Sequence, residues 1–226
     1  MGTDIHLFVE KREADGKWVS ADEWSEELGY SRARHFYSDR SYDTFAILAD
    51  VRNGYGFAGV PTGRGFKPIS EPKGWPSDLS EELKRESEGI EHTPSHLTLK
   101  ELLEYDWTQQ TIKVGMINGP QFYQWSRWQQ SAGEGPDSWC GSIDGGGIVH
   151  VEQAEMKRQV EMLKAKFKNR AELSEAIDKQ LGNVYTRVSW SVTYAQAAQG
   201  FIIGCLMRLL RLGKPEDVRI VFYFDS

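Results

Sequence analysis

Asp4-Ile5-His6-Leu7-Phe8-Val9-Glu10 alternates, with Ile5, Leu7 and Val9 on one side and Asp4, His6, Phe8 and Glu10 on the other. A period of two is the signature of a β-strand that shows one face to a core and the other to whatever lies opposite. Asp4 and His6 then point the same way, and a carboxylate beside an imidazole can move a proton, ligate a metal or hold a polar ligand. The competing reading is a solvated strand face carrying a surface ion pair.

Working outward, Asp15-Gly16 marks a turn and Trp18-Val19 a return strand, so residues 1–19 read as a β-hairpin. Residues 20–40 are polar and aromatic without a firm period. Ser41 or Asp43 caps a short helix carrying Phe45, Leu48 and Ala49, which ends at Arg52-Asn53-Gly54, where Asn and Gly accept a left-handed backbone. Six glycines and four prolines between Gly54 and Leu79 rule out a long regular element and predict a loop whose backbone can approach a partner closely. Pro76 to Leu83 predicts one or two helical turns.

Glu91 to Thr98 reads as a turn-rich loop that brings His92, Ser95 and His96 to a helix N-terminus, with Thr98 and Glu101 as its capping box. Such a terminus favours an anion. Residues 115–149 read as a second loop-rich region, dotted with Tyr123, Trp125, Trp128 and Trp139. A helical hairpin over about 151–181 follows, as an insertion, the second helix capped by Asn169. Val184 to Trp190 is a strand, Thr193 to Leu212 an apolar helix, and Val218 to Asp225 a strand apolar on both faces, hence central in its sheet. The expectation is one α+β domain over 1–226: a mixed sheet holding the N-terminal hairpin and the C-terminal strand, packed by helices and long Gly/Pro-rich loops.

Twenty-seven basic against thirty-three acidic residues give a net charge of −6, which argues against extended nucleic acid as a partner. No stretch is apolar and long enough for a bilayer, and no secretory signal opens the chain. Cys140 and Cys205 form no metal spacing and no expected disulfide, and Cys205 sits in an apolar run. Gly54-Tyr55-Gly56-Phe57-Ala58-Gly59 imitates a dinucleotide fingerprint without the strand before it or the helix after it. His96-Leu97-Thr98 matches one of the two His-x-Thr elements that two-histidine phosphoesterases require, and no second one exists.

Two groups of residues carry chemistry. If the first and last strands are neighbours, Asp4, His6 and Asp225 come together, and with His92 they supply acid–base groups or ligand types suited to zinc or manganese. Between Arg32 and Lys73, seven basic residues face four acidic ones, interleaved with Tyr30, Phe36, Tyr37, Tyr42, Tyr55, Phe57 and Phe66. That mixture suits an anion bearing aromatic rings. Arg52 and Arg64 would meet phosphate, Tyr55 and Phe57 would stack a ring, and Asn53, Ser95 and Asp225 would complete the ligand set. The competing reading is a moderately basic solvated surface.

The opening Met1-Gly2-x-Asp4-Ile5-His6-Leu7, the segment Tyr42 to Asn53, His92-x-x-Ser95 running into Leu97 to Leu102, and the ending Val218 to Asp225 resemble small uncharacterised proteins of tailed bacteriophages and prophages. The resemblance implies a phage accessory protein in the cytoplasm of a bacterial host, a class that often counters host defences by sequestering or cleaving nucleotide signals. The leading expectation is therefore a protein that binds a small anionic, nucleotide-like ligand. One alternative is a phosphodiester-type hydrolase using Asp4, His6 and His92. A second is a protein inhibitor of a host factor acting through Tyr123 to Trp139. The sequence implies no particular cofactor and leaves homo-oligomers open.

Overall fold

The alternating opening does form a strand, and its partner is the last strand of the chain. The computed structural model describes residues 2–25, 31–89 and 92–225; Met1, Tyr30, Glu91 and Ser226 lie outside the described residues. In chain order the strands are β1 (Asp4–Arg12), β2 (Trp18–Ser20), β3 (Glu23–Ser25), β4 (Ser31–Arg34), β5 (Ser95–Thr98), β6 (Gln110–Asn118), β7 (Val149–His150), β8 (Val184–Thr193) and β9 (Val218–Asp225). The helices are α1 (Tyr42–Ala49), α2 (Glu81–Ser87), α3 (Leu99–Glu104), α4 (Gly119–Arg127), α5 (Gln153–Lys166), α6 (Arg170–Leu181), α7 (Tyr194–Ala197), α8 (Gln199–Phe201) and α9 (Met207–Leu209), with a π-turn over Ile202–Leu206 between the last two. Helices and strands mix in an α+β chain that groups into two compact units, one of residues 1–53, 66–109 and 194–226, the other of 54–65 and 110–193.

The first unit is built on a four-stranded antiparallel sheet in the order β2-β1-β9-β5. Glu13 to Lys17 closes the hairpin, with Gly16 at φ 86, a backbone that glycine adopts without strain. Ile5, Leu7 and Val9 pair with Phe224, Phe222 and Ile220, and these six residues pack with Leu97, Phe45, Leu48 and Phe201 in one apolar cluster. Leu7, Val9, Phe45, Leu97 and Phe222 are fully inaccessible, each contributing about 1.5–3 kcal/mol of burial. Cys205 lies in this cluster, and burial pushes its thiol up to about 12, so it is an inert core residue as expected.

The opposite face of the same sheet changes character along its length. At one end Glu10 and Arg219, paired in register, form a buried ion pair of 2.7 Å. Arg219 also donates to Asp78 at 2.7 Å, while Glu10 accepts from the Ser80 backbone N–H at 2.7 Å. An aromatic layer comes next. Phe8 lies against Trp24 at 6.3 Å and Tyr223 at 6.4 Å, above Leu79, Leu83 and Val221. The far end, at Asp4, His6 and Asp225, opens to solvent.

Three local expectations need correction. The left-handed residues after α1 are Asp50 (φ 60), Arg52 (φ 57) and, as expected, Gly54 (φ 79); Asn53 instead uses its side chain. The loop before α3 contains a strand, because Ser95 to Thr98 pairs with Phe222 to Arg219 and satisfies its backbone there. Residues 115–149 are loop-rich from Trp128 to Ile148, as expected, but they begin with the last four residues of β6 and all of α4. Thr111, Lys113, Gly115 and Ile117 are the inward positions of β6, and a Lys and a Gly at two of them hide the alternation.

The mixed sheet belongs to the second unit, in the order β6-β8-β7, with β7 parallel to β8. Helices α4, α5 and α6 cover it through Phe122, Trp125, Met156, Val160, Ile177 and Leu181. Gly119 is required where α4 meets the end of α6, since a Cβ there would lie 2.2 Å from Leu181 Cβ. The Gly-rich segment also finds its partner within this unit. Arg64 N–H donates to Ile112 C=O at 3.0 Å and Val114 N–H to Thr62 C=O at 2.9 Å, and a Cβ at Gly63 would lie 2.3 Å from Ile112 O. Close backbone approach is thus used on β6 itself.

Two predictions follow from buried charge in the first unit. Glu10→Ala leaves Arg219 desolvated with half its ligands, and urea titration should show a loss of about 3–5 kcal/mol. Asp22 is the second case: one carboxylate oxygen accepts from Val9 N–H at 2.8 Å, the other faces Arg32 at 3.8 Å without a hydrogen bond, and burial raises its pKa to about 6. Because the folded value lies above the unfolded one, the stabilising contribution is complete below about pH 4 and disappears as pH rises through 6. Relative to Asp22→Asn, the parent should lose about 3 kcal/mol of unfolding free energy between pH 4 and pH 7.

Candidate functional site

The register of β1 against β9 sets Asp4 opposite Asp225 and His6 opposite Tyr223. His6 Nε2 lies 3.0 Å from Asp225 Oδ2, and Asp225 Oδ1 accepts from the Asp4 backbone N–H at 3.1 Å. Both carboxylate oxygens are therefore fixed, and the imidazole is oriented by one of them. The ring of His6 stacks on Tyr223 with centroids 4.5 Å apart and planes 5° from parallel. About a third of the His6 side chain remains accessible, with 51% of Asp225.

One guanidinium lies next to this pair, and a second is tied to Thr3. Arg40 grips Asp4 through both carboxylate oxygens, one bond being 2.5 Å, and this holds the Asp4 carboxyl below its ordinary range. Arg52 donates to the Thr3 hydroxyl at 2.8 Å and lies 5.7 Å from the Tyr42 ring, whose hydroxyl accepts from Thr3 N–H at 3.3 Å. His35, desolvated in part and in the field of Arg32 and His6, is held below the usual histidine range. Burial raises Tyr223. The arrangement is a base held by a carboxylate, beside a flat stacked surface, with the Arg40 guanidinium on the neighbouring Asp4. It can transfer a proton or seat a planar, charged ligand.

The remaining expected site residues are spread out. His92 comes to the same end of β9, but through its backbone: its C=O accepts from Phe224 N–H at 3.2 Å. Ser95 is buried opposite Phe222, with its hydroxyl accepting from Lys73 N–H at 3.2 Å. The N-terminus of α3 is occupied by its own capping box, and Glu101 of that box also binds Lys73. Asn53 clamps the chain, donating to Phe66 C=O at 2.7 Å and accepting from Phe66 N–H at 2.6 Å. Tyr55, Phe57 and Arg64 are exposed and belong to the second unit. Arg32 is spent inside the first unit, donating to Leu7 C=O, facing Asp22 at 3.8 Å and lying 3.9 Å from the Phe8 ring.

Thr3 and Tyr223 are not among the expected site residues, and Arg40 and Tyr42 are expected only as members of the basic, aromatic 32–73 segment. Tyr223 was within reach of the alternation, since it shares a strand face with Asp225; nothing local marks Arg40. Among the described residues, no group of three or more His, Cys, Asp or Glu is placed to hold a metal ion, so Asp4, His6, His92 and Asp225 do not form the metal centre considered above. No helix among the described residues is long and apolar enough to cross a membrane.

Asn53 serves the chain rather than an open surface, so Asn53→Ala should cost about 2 kcal/mol in thermal or urea unfolding through two lost bonds to Phe66. The same variant should leave any ligand affinity at the β1–β9 end within a factor of about two.

Comparison with protein-family models, with curated proteins and with solved structures gives no match for this chain.

Proposed function

We propose that the protein binds a small anionic, nucleotide-like ligand at the open end of the β1–β9 face. The observation that carries this reading is the parallel His6–Tyr223 stack, which offers a flat surface for a ring beside Asp225, with the Arg40 guanidinium on the neighbouring Asp4. Aromatic stacking supplies area, and guanidiniums recognise phosphate oxygens in paired fashion. Arg40 and Asp4 are each about half exposed, so exchanging that surface pair for a phosphate sacrifices little. With the phage resemblance, the biological role we propose is sequestration of a nucleotide immune signal in the cytoplasm of a bacterial host.

A second reading is favoured by one observation, the imidazole held by a carboxylate. A His6–Asp225 pair is the base-and-orienter arrangement of acid–base catalysis, which would make the protein a phosphodiester-type hydrolase.

Calorimetry against cyclic mono- and dinucleotides and ADP-ribose discriminates. Sequestration predicts one saturable site, ligand recovered intact after denaturation, and affinity reduced about tenfold or more by His6→Ala and by Asp225→Asn, a loss of about 1.4 kcal/mol each. Hydrolysis predicts recovered product and turnover reduced about a hundredfold or more in His6→Ala with the fold retained. Silence across the whole panel would remove both readings.

A further inference from the structure

The second unit holds a cleft of about 400 Å³ between α4 and α6 that plays no part in the reading above. The two helices run antiparallel: Gly119 at the start of α4 meets Leu181 at the end of α6, and Asn118 Nδ2 donates to Gly182 C=O at 3.1 Å. Arg127, the last residue of α4, and Arg170, the first of α6, therefore line the same end of the cleft. Neither forms an ion pair among the described residues, whereas Arg12, Arg40, Arg158 and Arg219 each do. Two like charges at one end of the cleft, neither of them ion-paired, repel one another, in a chain whose net charge is −6. A shared anion would relieve that repulsion.

The rest of the cleft gives the anion a body. Arg127 lies 4.9 Å from the Trp128 ring and 5.7 Å from the Tyr123 ring, so its guanidinium plane is held by aromatic contacts while its N–H groups stay available. Tyr123 and Pro120 supply an apolar wall against which a ring can lie. Along α6, Arg170, Ser174 and Asp178 follow at intervals of four, a row spanning about 12 Å on one face. The row runs from a cation through a hydroxyl to a carboxylate. Both helix N-termini are closed by their own caps, Asn118 with Gln121 and Asn169, so the guanidiniums are what is left to hold an anion.

We propose that this cleft binds a mononucleotide-class ligand, its phosphate between Arg127 and Arg170, its ring against Tyr123 and Pro120, and its hydroxyl or ring N–H donors at Ser174 and Asp178. The inference stands apart from the β1–β9 end. Its test is calorimetry of the full chain with AMP, GMP, CMP and UMP, and with adenosine and inorganic phosphate as the separated halves. At least one mononucleotide should saturate a single site, with each half binding at least about tenfold more weakly. Arg127→Gln and Arg170→Gln should each weaken it about tenfold, and Asp178→Asn should weaken it while leaving phosphate binding unchanged. These side chains are exposed, so circular dichroism and thermal unfolding should stay at parent values. His6→Ala should leave this binding intact. Absence of binding by all four mononucleotides, parent-like affinity in the double arginine variant, or phosphate binding as tightly as the nucleotide would each overturn the proposal. Loss in His6→Ala alone would do so too.

Discussion

The antiparallel ladder between β1 and β9 is the interaction on which the first unit depends. It joins residues more than two hundred positions apart in register, from Asp4 against Asp225 to Lys11 against Val218. One face of that ladder is the apolar cluster shared with α1, α3 and the π-turn region. A slip of one residue would exchange the two faces, sending Ile5, Leu7 and Val9 outward and burying Asp4 and His6. The buried Glu10–Arg219 pair opposes such a slip, because only the observed register sets these two charges opposite each other.

The same register explains how a polar, solvent-open end arises without a sequence motif. Glu10–Arg219 closes one end of the polar face, the aromatic layer of Phe8, Trp24, Trp75 and Tyr223 fills the middle, and His6 with Asp225 occupies the end that stays partly open to solvent. Polarity at the open end is tolerated because water reaches it; the same groups at the closed end would need partners as complete as those of Arg219. The site is thus positioned by where the covering elements stop.

Much of this was legible in the residues, and the parts that were not share a physical cause. The hairpin, the centrality of the last strand, the Ser41, Thr98 and Asn169 caps and the helical pair all rest on local rules that tertiary contacts left standing. Strand β6 was hidden because Lys113 occupies an inward position, 5.3 Å from the Trp139 ring, where alternation demands an apolar side chain. Strand β5 was hidden because four residues between turn signals carry no period until β9 is there to pair with them. At the site, Asp4, His6 and Asp225 were identifiable by residue type, and their convergence rested on one long-range pairing. The arginines of the 32–73 segment read as a ligand surface by composition, yet Arg32, Arg40 and Arg52 each found a partner in the chain. Composition counts charges and cannot count the acceptors that folding brings to them.

The position of β9 also sets an order of events during synthesis. β1 can close its hairpin with β2 as soon as Ser20 is made, but its other edge, and the whole of β5, wait for Val218 to Asp225 to leave the ribosome. Until then Ile5, Leu7, Val9 and Leu97 have no central strand to pack around. Residues 110–193, whose sheet and three helices are contiguous in sequence, carry no such delay. The second unit is therefore free to fold while the first is held open, and the exposed edge of β1 is the point at which a nascent chain is most vulnerable to mispairing.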